Sequence, residues 1–134
     1  MKNENVIDKI KKIIGDKNVL TSEWNKLPYS KGWRYGAGNA LAVLKPVKLS
    51  DIWKILQICV EEDIIVIMQA ANTGLTGGST PFGNNYDRPI LVLNTMRINS
   101  IHIINNGNQI VGLTGSTLYD LEKKLIPFGR EPHS

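Results

Sequence analysis

Residues 68 to 81 read MQAANTGLTGGSTP, a stretch that offers chemistry through its backbone rather than through its side chains. Gly74, Gly77 and Gly78 let the chain approach another molecule closely and permit turns with φ > 0. Successive N–H groups from Ala71 to Gly74, with the hydroxyls of Thr73, Thr76, Ser79 and Thr80, suit a concave anion site, phosphate foremost. Two familiar phosphate loops do not fit. A Walker A loop needs a lysine after its glycines, and none lies between Lys54 and Lys123. A dinucleotide fingerprint needs its glycines to open a helix, whereas Pro81, Gly83, Asn84 and Asn85 follow here. Without lysine or helix dipole, a pyrophosphate requires several N–H groups converging at about 2.9 Å. The competing reading is a plain glycine-rich connection.

Other reactive side chains are sparse. The single cysteine, Cys59, falls on the apolar face of an expected helix and reads as packing rather than as a nucleophile. His102 alternates with Ile101 and Ile103, which predicts a position on the polar face of a strand and no catalytic role. One cysteine and two distant histidines, His102 and His133, are too few for a metal site. Arg34 and Arg88 suit either a phosphate or an acidic partner such as Asp87, and pairing is the commoner fate. Glu61, Glu62 and Asp63 sit together at a helix end and read as a solvated cluster. No catalytic residue is assigned.

The elements that position the loop follow from periodicity. Val6, Ile7, Ile10, Ile13 and Ile14 predict an amphipathic helix ended by Gly15. Residues 18 to 40 are expected to form an ordered loop anchored by Trp24, Tyr29, Trp33 and Tyr35. LAVLKPV (41 to 47) predicts a strand, and Ser50 is expected to cap a helix whose apolar face carries Ile52, Ile55, Leu56, Cys59 and Val60. IIVIMQA (64 to 70), apolar on both faces, predicts a buried strand parallel and adjacent to the first. ILVLNT (90 to 95) adds another strand. NNGN (105 to 108) signals a hairpin between SIHII and QIVGLTG, and Thr117 with Asp120 resembles a capping box for a last helix. The class is α+β or α/β: a small sheet with a parallel βαβ unit flanked by helices.

The 134 residues suit one domain and carry a net charge of +4. Residues 1 to 48 hold ten Lys and Arg against four Asp and Glu. A second reading is therefore a small basic module for nucleic acid or anionic lipid, although the lysines are spaced and no nucleic-acid motif accompanies them. The chain has no apolar run near the ~20 residues of a membrane span and no signal-like N-terminus.

MQAANTGLTGGSTP, with NNYDRP after it, resembles the flavin-binding loop of the quinone-dependent D-lactate dehydrogenases, within the vanillyl-alcohol-oxidase-like, or PCMH-type, FAD superfamily. GNALAVLKPVKLSDIWKILQICV and TGSTLYDLEKKLIPFGREPHS resemble the same family, so the likeness covers about residues 32 to 134. The resemblance implies that residues 1 to 134 form a partial FAD-binding domain, its first subdomain, with the second FAD subdomain and the substrate cap absent. It implies FAD held through Ala70, Ala71, Asn72, Thr73, Gly74, Gly78 and Ser79, the backbone at Gly78 lying close to the pyrophosphate with a glycine-specific φ. Relatives that attach flavin covalently through this loop carry histidine where Thr73 stands, so non-covalent FAD is implied. Gln69 to Asn72 replace the arginine and glycines usual in the wider superfamily, which narrows the likeness to the D-lactate branch. For the whole enzyme it implies D-lactate and quinone as partners, a peripheral place on the cytoplasmic face of the cell membrane and no nucleic acid. The segment alone is expected to be inactive, and an inert truncated piece remains the third reading. His133 suits either an approach to the flavin or simple continuation of the chain.

Overall fold

The computed structural model describes residues 2 to 132, so the expectation for His133 lies outside the described residues. Helix α1 (Lys2–Ile14) ends at Gly15, as its periodicity predicts. A two-residue strand, β1 (Val19–Leu20), and a helix, α2 (Glu23–Ser30), then occupy the stretch expected to be a loop. Ser22 caps α2 by accepting from the Asn25 N–H, but Pro28 inside the helix masks its signal in the sequence. The aromatics do not anchor this stretch: Trp24, Trp33 and Tyr35 are 83, 78 and 67% exposed. Only Tyr29 packs inward, against a buried cluster.

Strand β2 (Ala42–Leu44) leads to α3 (Leu49–Glu61). Lys48 occupies the N-cap position without a side-chain cap bond, so Ser50 lies inside the first turn rather than at the cap. The buried seam of α3 is Ile55 and Cys59, with Ile52 and Ile58 packed beside them. Leu56 and Val60 lie one residue further around the helix and stay exposed, contrary to the expected face.

Strands β3 (Ile65–Gln69) and β4 (Ile90–Asn94) complete a four-stranded sheet of order β1-β2-β4-β3. β2 and β3 are parallel, as expected, but not adjacent, because β4 lies between them and pairs with both. The reason is burial. Every residue of β4 is buried, whereas Ile65, Val66 and Ile67 of β3 are half-covered, which suits β3 to the edge.

Alternation along the strands divides the core into two layers. Ala42, Leu44, Leu91 and Leu93 face α1 and α3, and cluster with Val6, Ile7, Ile10, Ile14, Ile55 and Cys59. Val43, Ile90 and Val92 face the other way, toward Tyr29 of α2. The result is a three-layered piece, helices on both faces of the sheet. Burying each large aliphatic side chain stabilises the fold by roughly 1.5–3 kcal/mol.

A hairpin of β5 (Ile101–Ile104) and β6 (Gln109–Gly112) forms a separate two-stranded sheet. Asn105, Asn106 and Gly107 all have positive φ in its turn, which explains the strength of the NNGN signal. The last helix, α4 (Leu118–Leu125), is capped by Thr117, whose Oγ1 accepts from the Asp120 N–H at 3.1 Å and donates to its carboxylate at 2.6 Å.

Candidate functional site

β3 delivers the chain into loop 70–80 at the C-terminal end of the sheet, the usual place for ligands in open α/β sheets. The last residue of β3, Gln69, is only 2% exposed and its carboxamide is fully used. Its Nε2 donates to the carbonyls of Tyr29 at 2.9 Å and Ser79 at 2.8 Å. Its Oε1 accepts from Asn94 Nδ2 at 3.0 Å, which also donates to the Ala70 carbonyl at 3.1 Å. The Thr95 N–H and hydroxyl both donate to the Gln69 carbonyl, at 2.8 and 3.3 Å. A buried polar knot thus fixes where the loop begins.

Asn72 has φ +56, a left-handed conformation uncommon outside glycine. Its Nδ2 donates to the Lys31 carbonyl at 2.8 Å, and its Oδ1 accepts from Ser79 Oγ at 2.7 Å. Asn72 and Ser79, both assigned to the site by the sequence, therefore spend their side chains on each other. What they offer a ligand is backbone. Among the described residues, no backbone N–H from Ala71 to Ser79 donates to a protein acceptor. Thr73 and Gly74 are exposed. A Cβ built at Gly74 or Gly78 meets no atom within 4 Å. No carboxylate occurs in the sequence between Asp63 and Asp87, so nothing acidic on the loop opposes an anion.

The glycine-specific φ expected at Gly78 belongs to its neighbour. Gly77 has φ +77, and Gly78 is not in the left-handed region. A Cβ at Gly77 would lie 3.1 Å from the Tyr35 carbonyl oxygen and 3.2 Å from the Gly36 nitrogen. Gly77 is thus required by packing within the chain, and the open backbone at Gly78 faces outward.

The contact at Gly77 exposes residues that the sequence reading did not assign to the site. Segment 32–38, GWRYGAG, lies along the far side of the loop, with Gly38 bridged to Gly83 and Gly36 against Gly77 and Thr80. The close spacing of Gly32, Gly36 and Gly38 was the available signal. Lys31 and Trp33, with Leu27, Pro28, Ala71 and Asn72, line a cleft of about 570 Å³ beside the N–H row. Lys31 is thus an exposed cation neighbouring a loop that contains none. Arg34 is exposed and has no partner among the described residues. A larger cleft, of about 900 Å³, lies at the opposite end of the sheet and mixes Glu4, Asp8 and Glu23 with Lys11, Lys26 and Arg88. Its mixed charge favours no ligand of one sign.

The remaining side chains fall into structural roles. Burial pushes the Cys59 thiol up to about 11, which removes thiolate at neutral pH. His102 is exposed, opposite Val111 on the hairpin. Arg88 bonds Asp63 at 2.9 Å and Asp87 at 3.2 Å, and these partners hold its guanidinium above its ordinary value. Lys9 pairs with Glu62 at 2.6 Å, so the expected solvated cluster at 61–63 is in part a pair of tethers. Lys26 is buried, donating to the Ala40 carbonyl and to Glu23, both at 2.7 Å. The N-terminal cations are thus partly committed, which weakens the basic-module reading. No group of three or more potential metal ligands occurs among the described residues.

No family model matches the chain. Over 98% of its length it is 54% identical to the quinone-dependent D-lactate dehydrogenase of Haemophilus influenzae, and it covers 23% of that protein. It is 46% identical, again over 98% of its length, to the quinone-dependent D-lactate dehydrogenase of Escherichia coli, of which it also covers 23%. The chain therefore spans about a quarter of the length of the curated relatives it matches. Its fold matches 25% of the chain of p-cresol methylhydroxylase solved with substrate bound, at a TM-score of 0.76 and 18% identity over 96% of this chain. That identity speaks for fold alone: an α+β piece of the PCMH type.

Proposed function

We propose that this chain grips the pyrophosphate of a non-covalently held FAD, as part of an oxidoreductase that converts D-lactate to pyruvate and passes electrons to quinone. One observation carries the reading: among the described residues, the backbone N–H groups from Ala71 to Ser79 have no protein acceptor, on a loop free of carboxylates at the C-terminal end of β3. Such a row suits a doubly charged, flexible anion, since charge-assisted N–H bonds are the strong ones and each adds to the next.

The residues present fit that group. Ala70, Ala71, Asn72, Thr73 and Gly74 supply the first limb of the cradle, and Gly78 and Ser79 the second. Gly74 and Gly78 leave open the space that a Cβ would take. Lys31 adds a positive charge at the rim. Thr73 can donate a hydrogen bond but has no ring nitrogen for a covalent flavin link. FAD, when bound, would supply the redox chemistry, the removal of two electrons and two protons from the C2 alcohol of a 2-hydroxy acid to give a ketone. This chain contributes binding and orientation. D-lactate, quinone and a peripheral place on the cytoplasmic face of a membrane are proposed for the protein as a whole. Among the described residues no helix is long and apolar enough to cross a membrane.

The test is ligand selectivity measured by equilibrium titration of the protein freed of flavin. FAD is expected to bind well over tenfold more tightly than riboflavin, and ADP is expected to compete with it. Equal affinity for FAD and riboflavin would remove the pyrophosphate from the loop.

A further inference from the structure

We infer that Gln69 and Asn72 are positioning residues that hold loop 70–79 in a ligand-ready shape before any ligand arrives. The inference rests on the reading of this loop as a pyrophosphate grip. Two independent side chains converge on the same two places. At Ser79, Gln69 bonds the carbonyl at 2.8 Å while Asn72 bonds the hydroxyl at 2.7 Å, so the beginning of the loop is laced to its end. At the end of α2, Gln69 bonds the Tyr29 carbonyl at 2.9 Å and Asn72 the Lys31 carbonyl at 2.8 Å, so both laces are moored outside the loop. Tyr29 itself packs against the buried cluster of Ala40, Val43, Ile90 and Val92, which ties the mooring to the core.

The chemistry demands carboxamides. Each of these side chains donates to a carbonyl and accepts from a donor at once, which neither a carboxylate nor an aliphatic group can do. Gln69 is buried with every polar atom of its carboxamide bonded, so its geometry is over-determined. Asn72 keeps its left-handed φ while bonded on both sides, a conformation that a free loop would relax. The ordering of the N–H row is therefore met during folding, and binding loses less freedom than it would on a slack loop.

The experiment pairs amide hydrogen exchange of the flavin-free protein with FAD titration. Asn72→Gly keeps the left-handed backbone and removes both side-chain bonds at a half-exposed position. It is expected to speed exchange at residues 73 to 78 while leaving the thermal midpoint within a degree or two of the parent, and to weaken FAD binding about ten- to thirtyfold. Gln69→Glu, which has no donor when ionised, is expected to weaken FAD binding at neutral pH and to recover part of it as the pH falls and the carboxyl regains a proton. Unchanged exchange in Asn72→Gly, or faster exchange with unchanged affinity, would overturn the inference while the parent still prefers FAD to riboflavin. A parent without that preference overturns the reading of the loop, and the inference with it.

Discussion

Gly36 and Gly77 face one another so closely that a side chain on either would crowd the other's backbone. A Cβ on Gly36 would lie 3.2 Å from the Gly77 Cα, and one on Gly77 would lie 3.2 Å from the Gly36 nitrogen. Both residues have positive φ, +87 and +77. Two loops more than forty residues apart are thus pressed backbone to backbone, and the outward face of loop 70–80 is set by what supports it from behind.

Adjacent glycines should then respond in opposite ways. Gly77→Ala is expected to lower stability by roughly 1–2 kcal/mol, through a left-handed φ and a crowded Cβ. Gly78→Val is expected to leave the urea midpoint nearly unchanged and to weaken FAD retention instead. Loss of stability in Gly78→Val equal to that in Gly77→Ala would contradict the division of roles.

The thiol of Cys59 makes a pH signature. In the folded protein it keeps its proton to about pH 11, because burial penalises the thiolate, while the unfolded chain releases it near the ordinary value of 9.0. Between those values the folded state binds more protons, so stability falls as pH rises through the window, by roughly 1–3 kcal/mol. Cys59→Ala should flatten that part of the profile, at the cost of a small cavity. A thiol reagent at pH 8 should modify the native protein no faster than it unfolds.

Acid precipitation of the flavin-loaded protein is expected to leave the flavin in the supernatant. Thr73 stands where the resemblance puts the histidine of a covalent flavin link, and a hydroxyl cannot form that bond. Flavin pelleting with the polypeptide would contradict non-covalent binding.

Residues 1 to 134 with added FAD are expected to oxidise D-lactate no faster than free flavin does, in an assay with an artificial electron acceptor. Among the described residues, His102 is exposed on the hairpin and Cys59 is buried in the core, so neither stands at the loop as a general base. Positioning of a base against the substrate supplies a large share of such rates. Turnover clearly above the control would locate the reacting groups in this segment.

Features carried by local chemistry were legible in the sequence. The Ile10 periodicity, the NNGN turn and the Thr117 cap depend on residues a few positions apart, and each forms as read. Pairing partners were not legible in the same way. That β4 separates β2 from β3 depends on which strand is covered on both faces, a property of the assembled layers. Pro28 hid α2, because its missing N–H argues against a helix that capping and packing nevertheless sustain. At the candidate site, composition located the loop but could not say which glycine takes the left-handed φ. Gln69 read as a departure from a family pattern, and its three-way bonding required residues 29, 79 and 94 to be brought together.

The central place of β4 also governs when the protein can assemble on the ribosome. β1 can pair with β2 early, but β2 and β3 share no ladder until residues 90–94 slide between them. The inward face of α1, complete by Ile14, belongs to the same cluster as Leu91 and Leu93, and so waits for about eighty further residues. At typical synthesis rates that delay is on the order of ten seconds. Late in that interval the nascent chain carries the apolar faces of α1 and α3 and the open edges of β2 and β3, which only β4 joins.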